Sequence, residues 1–342
     1  MNGGGDVNGL RFDPTKPLDV IALGRLCIDL NANETGRPLE DVVTFTRYLG
    51  GSPANIAVGA ARLGLKTGFI GKVADDPFGR FIVRYLREAG IDTSGVVTDA
   101  PGSVTGLTFT EMKSPEEGRI YMYRENVADL NLAPNEVSEE YLGSTKALLI
   151  SGTALARSPS REAVFVALDY ARRHGAVVVF DLDYRPYTWS SPEETAVYYK
   201  LAAEKSDVVI GTREEFDRLE RFDPPSRGDD ETTARRLFAH RARLVIVKHG
   251  KAGSVAYTRN GQRVVGPVFP ARVVKPFGAG DAYAAALLYD LLRGWALERC
   301  LTYGSAAAAI VISRHSCSDA MPTAEEIEAY IRQVQSGQGA GA

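Results

Sequence analysis

The chain has 342 residues, a formal net charge of −3 and three cysteines. Its composition, with 24% charged and 44% hydrophobic residues, is typical of a globular protein with a sizeable core. The slight acidic excess argues against nucleic acid as a partner, and no apolar run reaches the ~18 residues that cross a bilayer. Three scattered cysteines fit a reducing cytoplasm better than a disulfide framework.

Short apolar segments alternate with helical patterns along the chain. Buried strands are predicted at 19–24, 66–73, 147–150, 177–180, 208–210 and 244–247. Helix starts are predicted where Pro follows a capping residue, at Ser52, Asp76, Ser158 and Ser191. Strands without polar alternation are buried on both faces, so the predicted fold class is α/β, with a doubly wound, mainly parallel sheet flanked by helices.

Two segments, 41–48 and most of 105–124, alternate polar and apolar residues and predict half-exposed strands. We expect them to form a small separate β-sheet from segments of about 30–49 and 104–126. A lid over the active site is the natural hypothesis, because ligands bind at the carboxyl ends of parallel strands. The Gly-rich stretches 1–16 and 335–342 are expected to be flexible tails around a single domain, 17–334.

The 34 glycines, about a tenth of the chain against the usual ~7%, include two loops that precede helices. The segment 278–281, Gly-Ala-Gly-Asp, enters an Ala-rich helix, whose free N–H groups can bind a phosphate that approaches closely over glycine. Gly50 and Gly51 precede another helix that carries Asn55, and Asp29 follows the first strand. Each pattern alone also fits an ordinary turn or cap.

In their order and spacing, these motifs resemble the ribokinase-like (PfkB) carbohydrate kinases over about residues 18–333. The matching segments are Gly24 to Asp29, 50–55 with 61–64, 71–79 and 278–281. The resemblance implies a ribokinase-like fold with a β-sheet lid that often serves as a homodimer contact. It also implies an ATP-dependent sugar kinase that uses Mg²⁺.

The resemblance assigns roles to the matching residues. Asp281 is the expected base that takes the proton of the substrate hydroxyl, and Gly278, Ala279 and Gly280 are the expected anion hole for the transferred phosphoryl group. The residues expected to hold the sugar are Asp29, Gly50, Gly51 and Asn55, and those expected to bind ATP are Lys248, Gly250 and Ser305.

Two positions depart from the family pattern. The magnesium motif, usually Asn-x-x-Glu, reads 211–214 Gly-Thr-Arg-Glu, and Glu214 is kept as the expected metal residue because an acid can still organise metal-bound water. An Asp-Thr pair that helps to hold a monovalent cation is replaced by Lys275 and Pro276. We hypothesise that the Lys275 ammonium replaces that cation; an exposed loop lysine is the alternative.

Two arginines indicate the class of sugar. Arg185 follows a buried strand, and Tyr123 with Arg124 ends a predicted lid strand. A guanidinium can fork onto a carboxylate, so a sugar acid explains two converging arginines better than a neutral sugar does. The alternative is that Arg185 pairs with a neighbouring aspartate and that Arg124 lies on the surface.

Five further segments, among them 181–186, 123–129 and 313–323, resemble one branch of the family whose substrate is a sugar acid. Kinases of another sugar acid or of neutral sugars are the alternatives within the family. A non-catalytic sugar-binding protein on the same fold is an alternative of a different class, against which the intact Asp281 and glycine loop argue, since binding alone needs no base there.

Overall fold

The computed structural model describes residues 9–114, 117–223 and 228–337. The strands are β1 (Leu18–Leu23), β2 (Cys27–Ala32), β3 (Phe45–Gly50), β4 (Thr67–Val73), β5 (Asp92–Thr98), β6 (Gly106–Met112), β7 (Gly118–Tyr123), β8 (Thr145–Ser151), β9 (Val177–Asp181), β10 (Val208–Thr212), β11 (Leu244–Lys248), β12 (Ser254–Thr258) and β13 (Arg263–Gly266). The helices are α1 (Ser52–Arg62), α2 (Pro77–Glu88), α3 (Glu139–Gly143), α4 (Ser160–Arg173), α5 (Pro192–Ala203), α6 (Arg213–Leu219), α7 (Asp230–Phe238), α8 (Ala279–Leu292), α9 (Leu297–Ile312) and α10 (Ala324–Gln335).

Nine strands form the main sheet in the order β13-β12-β11-β10-β9-β8-β1-β4-β5. All pairs from β11 to β5 are parallel, and β12 and β13 continue the sheet as antiparallel strands. All six strands predicted from apolar runs lie in the parallel part, which confirms the α/β fold class. The pattern did not reveal the edge strands β5 and β13, because they are only half-buried and carry polar residues, and it also missed β12, which pairs with β13.

Helices cover both faces of the main sheet. Along β1, Val20 and Ala22 join the core on one face, whereas Ile21 and Leu23 join the core on the other. Successive side chains of a strand point to opposite faces, so burial of all four explains the uninterrupted apolar run that predicted this strand.

Four strands form a second, small sheet in the order β3-β2-β6-β7. The central pair β2 and β6 is parallel, and the outer pairs are antiparallel. This confirms the predicted small sheet, although β3 begins at Phe45 rather than at residue 41. By register, Asp29 and Thr108 share one face, and their neighbours Leu30 and Phe109 share the other.

The chain ends and one helix start differ from expectation. Leu10 is 1% exposed and belongs to the core, so the prediction of a flexible tail up to residue 16 is wrong at that position. Residues 1–8 and 338–342 of the predicted tails lie outside the described residues. Asp76 and Ser191 cap their helices as predicted, but α4 starts at Ser160 without a side-chain cap from Ser158. Among the described residues, no helix is long and apolar enough to cross a membrane.

Candidate active site

The first turn of α8 forms one wall of a polar site above the carboxyl ends of the parallel strands. Gly278 precedes the helix with φ +86°, a left-handed conformation that favours glycine, and a Cβ there would lie 2.9 Å from Cys317 Sγ. The first N–H groups of a helix have no intrahelical partner. The Gly278-Ala279-Gly280 segment therefore offers free donors and a positive dipole end to an anion, as the anion-hole prediction requires.

Asp281 joins this turn to the start of α1. Its carboxylate accepts hydrogen bonds from Ser52 Oγ at 2.9 Å and Asn55 Nδ2 at 2.8 Å. The two glycine loops, more than 200 residues apart in sequence, therefore meet at Asp281. The prediction that Ser52 caps α1 is wrong: Gly51 is the N-cap residue, no side chain caps the helix, and the Ser52 hydroxyl is used on Asp281.

The environment of Asp281 favours its neutral form more than water does. Burial, followed by the charge of Asp183, raises the pKa of Asp281 to about 6, although the hydrogen bonds from Asn55 and Ser52 oppose the shift. The pKa of Asp281 therefore lies closer to neutrality than that of an exposed aspartate, in the range that favours a general base.

Lys248, at the end of β11, faces the same turn. Its Nζ lies 3.5 Å from Asp181 Oδ1, and a Cβ on Gly280 would lie 3.2 Å from that nitrogen. Burial lowers the pKa of Lys248, but Asp181, Glu215 and further carboxylates outweigh burial and raise it. The ammonium thus stays charged beside the free N–H groups of α8, where a phosphoryl group would gain negative charge.

Asp29 lies buried on the inner face of the small sheet and closes the site from that side. A Cβ on Gly50 would lie 2.1 Å from Asp29 Oδ1, and one on Gly51, whose φ is +107°, would lie 2.2 Å from the backbone oxygen of Arg25. Glycine is therefore required at both positions, because the neighbouring oxygen atoms leave no room for a Cβ. Asn55 donates to Asp281, so the structure brings together all four residues that were predicted to hold the sugar.

Arg124 and Arg185 converge on this region, but each already holds a carboxylate. Arg185 Nη2 lies 2.7 Å from Asp183, and Arg124 Nη2 lies 2.5 Å from Asp129. Burial raises the pKa of Tyr187, whereas the positive charges of Arg185, Arg25 and Arg124 lower it, so all three arginines lie within electrostatic range of this phenol. The sugar-acid role of the two arginines stays a prediction. Arg185 pairs with a nearby aspartate, as its alternative states, but the Arg124 side chain is 7% exposed and does not lie on the surface.

Tyr123 does not face the site. It is 67% exposed and packs its ring edge-on against Phe109, 5.6 Å away, on the outer face of the small sheet. Its neighbour Met122 points inward instead and lies 3.6 Å from Arg25. Side chains alternate along a strand, so the prediction of Tyr123 as a substrate residue is wrong by one position.

Glu214 also lies apart from the other site residues. Its side chain is 74% exposed and accepts a 3.4 Å hydrogen bond from Arg218. The next residue, Glu215, turns inward: it accepts the Tyr184 N–H at 2.9 Å and the Thr212 N–H at 2.7 Å. The capping-box spacing between Thr212 and Glu215 was the sequence signal for this orientation. Within the described ranges, no three His, Cys, Asp or Glu side chains form a metal site.

The remaining predicted ATP residues lie on neighbouring elements. Gly250 starts a short 3₁₀ turn immediately after β11, with φ +57°. Ser305 is half-buried on α9, where the adjacent Gly304 packs closely against Tyr283 of α8. The structure thus puts both residues next to elements of the site, without a contact between them and Asp281.

Lys275 organises the loop that precedes α8. It is 3% exposed, and its Nζ donates to the Phe277 carbonyl oxygen at 2.6 Å and to Cys317 Sγ at 2.9 Å. The alternative of an exposed loop lysine is therefore wrong. The tip of the small sheet contacts the same loop, because a Cβ on Gly118 would lie 2.7 Å from the Phe277 ring.

The sequence profile of the pfkB family carbohydrate kinases matches residues 18–324. The chain therefore belongs to this family, whose members transfer phosphate to a sugar hydroxyl, and the resemblance noted in the sequence is confirmed. Two relatives are named 5-dehydro-2-deoxygluconokinase. The protein of Geobacillus kaustophilus is 66% identical over 97% of this chain and 98% of its own, and that of Geobacillus thermodenitrificans is 65% identical over 96% and 97%.

Solved structures of more distant proteins share the fold. Fructokinase with bound ATP from Xylella fastidiosa is 26% identical, with a TM-score of 0.82 over 92% of this chain and 99% of its own. A putative ribokinase II from E. coli, in complex with ATP and Mg²⁺, is 25% identical, with a TM-score of 0.83 over the same shares of the two chains. The predicted ribokinase-like architecture is confirmed.

Proposed function

We propose that this protein transfers the γ-phosphoryl group of ATP to the 6-hydroxyl of 5-dehydro-2-deoxy-D-gluconate, giving the 6-phosphate and ADP, in myo-inositol catabolism. The observation that carries this proposal is Asp281, a half-buried carboxylate held by Ser52 and Asn55 at the N-terminus of α8, with Lys248 beside it. The names of the 66% and 65% identical relatives support the choice of substrate.

In the proposed reaction, Asp281 takes the proton of the attacking hydroxyl, while the N–H groups of the 278–280 segment and the Lys248 ammonium stabilise the charge on the moving phosphoryl group. Phosphoryl transfer needs positioning and charge stabilisation more than covalent catalysis, and the site supplies both. Asp29 and Asn55 would hold sugar hydroxyls. We propose the small sheet as a lid, supported by its contact with Phe277, which would exclude water from the reaction.

We further propose that Gly250 and Ser305 border the nucleotide, and that Mg²⁺ enters with ATP. Mg²⁺ commonly uses one or two carboxylates together with waters and substrate phosphates. Asp181 and Glu215 fit this pattern better than the exposed Glu214. Asp181 Oδ1 is buried without a hydrogen-bond partner, and both carboxylates lie close enough to Lys248 to raise its pKa. When bound, the ion would neutralise phosphate charge.

The Lys275 ammonium is proposed to replace a monovalent cation. Its bonds to the Phe277 carbonyl oxygen and to Cys317 support this role, because a cation in the loop would satisfy the same carbonyl oxygen. The loop before α8 would then be ordered by the chain's own charge, without potassium.

Two remaining proposals concern assembly and location. Phe45, Phe109, Tyr121 and Tyr123 share the outer face of the small sheet, where the two tyrosines are 40% and 67% exposed. An exposed aromatic face of this kind supports a homodimer through the lid, to be tested by sedimentation of the wild type and of Tyr123→Ser. The three free, buried cysteines favour the cytoplasm.

The test is a coupled ADP-release assay that compares kcat/KM for 5-dehydro-2-deoxygluconate, 2-keto-3-deoxygluconate, fructose and ribose. We expect the first to be preferred, and a preference for fructose or ribose would reject the sugar-acid substrate. Asp281→Asn should lower kcat by roughly 10²- to 10⁴-fold while sugar affinity persists, because it removes the base and keeps the shape. Unchanged turnover would reject the base, and a wild type that binds sugar without turnover would favour the non-catalytic alternative.

A further inference from the structure

A third arginine, Arg25, lies beneath the small sheet and has no assigned role. It follows Gly24 in the short connection between β1 and β2, and it is 6% exposed. Its Nη1 reaches only neutral groups: Cys27 Sγ at 3.2 Å, Thr108 Oγ1 at 3.4 Å and Met122 Sδ at 3.6 Å. Its Nε is buried without a hydrogen-bond partner.

The charge of Arg25 is not matched by a contacting anion. Among residues 9–114, 117–223 and 228–337, no carboxylate oxygen lies within 4.0 Å of its guanidinium nitrogens. Burial lowers the pKa of Arg25, but the carboxylates of Asp29, Asp183 and Asp129 raise it more without contacting it, so the group stays charged. The guanidinium therefore keeps hydrogen-bond donors that no anion in the described residues uses, and a ligand carboxylate could accept from them.

Arg25 differs in this respect from the other two arginines around Tyr187. Arg124 is paired with Asp129 and Arg185 with Asp183, so each already has a contacting carboxylate. Only Arg25 of the three lacks one in the described part of the chain. Its neighbours Thr108 and Met122 lie on the inner face of the small sheet, the face that carries Asp29.

We propose that the Arg25 guanidinium binds the carboxylate of the sugar-acid substrate. The inference deepens the proposed function and rests on it. The acid group of the substrate is at the opposite end of the carbon chain from the 6-hydroxyl. Arg25 would therefore hold one end under the small sheet, while Asp281 acts on the other. Arg124 and Arg185 then mainly shape the pocket through their aspartates.

The test compares Arg25→Gln and Arg25→Lys with the wild type, using 5-dehydro-2-deoxygluconate, fructose and ATP as the varied substrates. Arg119→Gln is the matched control, because this arginine also belongs to the small sheet but has a 56% exposed side chain. Melting temperatures without ligand are measured for every variant. The acid-to-fructose ratio of kcat/KM separates recognition of the carboxylate from general damage to the site.

We expect Arg25→Gln to raise KM for the sugar acid by roughly 10- to 100-fold, the range for a charge-assisted bidentate pair. KM for ATP and the melting temperature should be retained, and the acid-to-fructose ratio should fall by the same factor. Arg25→Lys should recover part of the loss, because it keeps the charge without the fork. Arg119→Gln should match the wild type.

Two results would overturn the assignment of Arg25 in an enzyme that is active on the sugar acid. One is an unchanged KM for the acid in Arg25→Gln. The other is an equal loss for acid and fructose together with a lower melting temperature, which would make Arg25 a structural residue. A wild type without activity on the sugar acid would instead reject the proposed function.

Discussion

Gly50→Ala tests the close approach between Gly50 and Asp29. The new Cβ would lie 2.1 Å from Asp29 Oδ1, 2.4 Å from Cγ and 2.8 Å from Oδ2, whereas ordinary contacts begin at 3.4 Å. The backbone φ at Gly50 is not positive, so the strain falls on the carboxylate, which has to move by about 1 Å or more. A movement of that size breaks a hydrogen bond of normal length.

The expected magnitude follows from the bond that Asp29 would make with a sugar hydroxyl. A hydrogen bond to a charged group contributes about 1.5–3 kcal/mol, so kcat/KM for the sugar acid should fall roughly 10- to 150-fold. Overpacking should lower the free energy of unfolding by about 1–3 kcal/mol, which leaves the protein folded. KM for ATP should not change, because Gly50 lies on the sugar side.

Gly106→Ala is the matched control. Gly50 and Gly106 flank Cys27 on the two neighbouring strands of the small sheet, and both are buried. A Cβ on Gly106 would meet its nearest atom at 3.5 Å, an ordinary contact. The coupled ADP-release assay and thermal unfolding of both variants decide the matter. A folded Gly50→Ala enzyme with wild-type kcat/KM, or an equal loss in Gly106→Ala, would refute the reasoning.

Three further predictions concern charge in the site. Burial raises the pKa of Asp281 to about 6, so kcat/KM should fall below about pH 6 as the base becomes protonated; an acid limb near pH 4 in the pH profile would contradict this. Activity should be equal in sodium and potassium buffers if Lys275 replaces the cation, and strong activation by potassium would argue against it. Glu215→Gln should lower kcat and raise the Mg²⁺ concentration needed for half-maximal activity, since Glu215 contributes to the charge around Lys248, whereas Glu214→Gln should behave like the wild type. Equal effects of the two substitutions would contradict the inward position of Glu215.

Much of the fold could be predicted from sequence because local patterns and the final environment agree. The parallel strands are apolar throughout, since helices cover both of their faces. The small sheet was visible as alternation because one of its faces is polar. Predictions failed where a side chain interacts with a residue that lies far away along the chain instead of with its own helix or turn. Ser52 has the sequence context of a cap, yet its hydroxyl donates to Asp281, which no local pattern reveals.

The sequence by itself determined the class of site. Glycines at 50, 51, 278 and 280 permit close approach of backbone and ligand, so an anion site before the helix could be proposed from the residues, and the resemblance to the kinase family added Asp281 as the expected base. The register along single strands was less certain, because a shift of one residue reverses every side chain. The prediction therefore selected Tyr123, which points outward, instead of its neighbour Met122, which points inward.

Only the tertiary structure decided which charges are matched. Each of Arg25, Arg124 and Arg185 has an aspartate within five residues along the chain, so the sequence alone does not indicate which of the three is paired. Asp129 and Asp183 contact two of these arginines directly, while the Nη1 of Arg25 reaches only neutral side chains. The free energy of a buried charge depends on groups within a few ångströms of it, and the packing of the small sheet against the main sheet determines which groups those are.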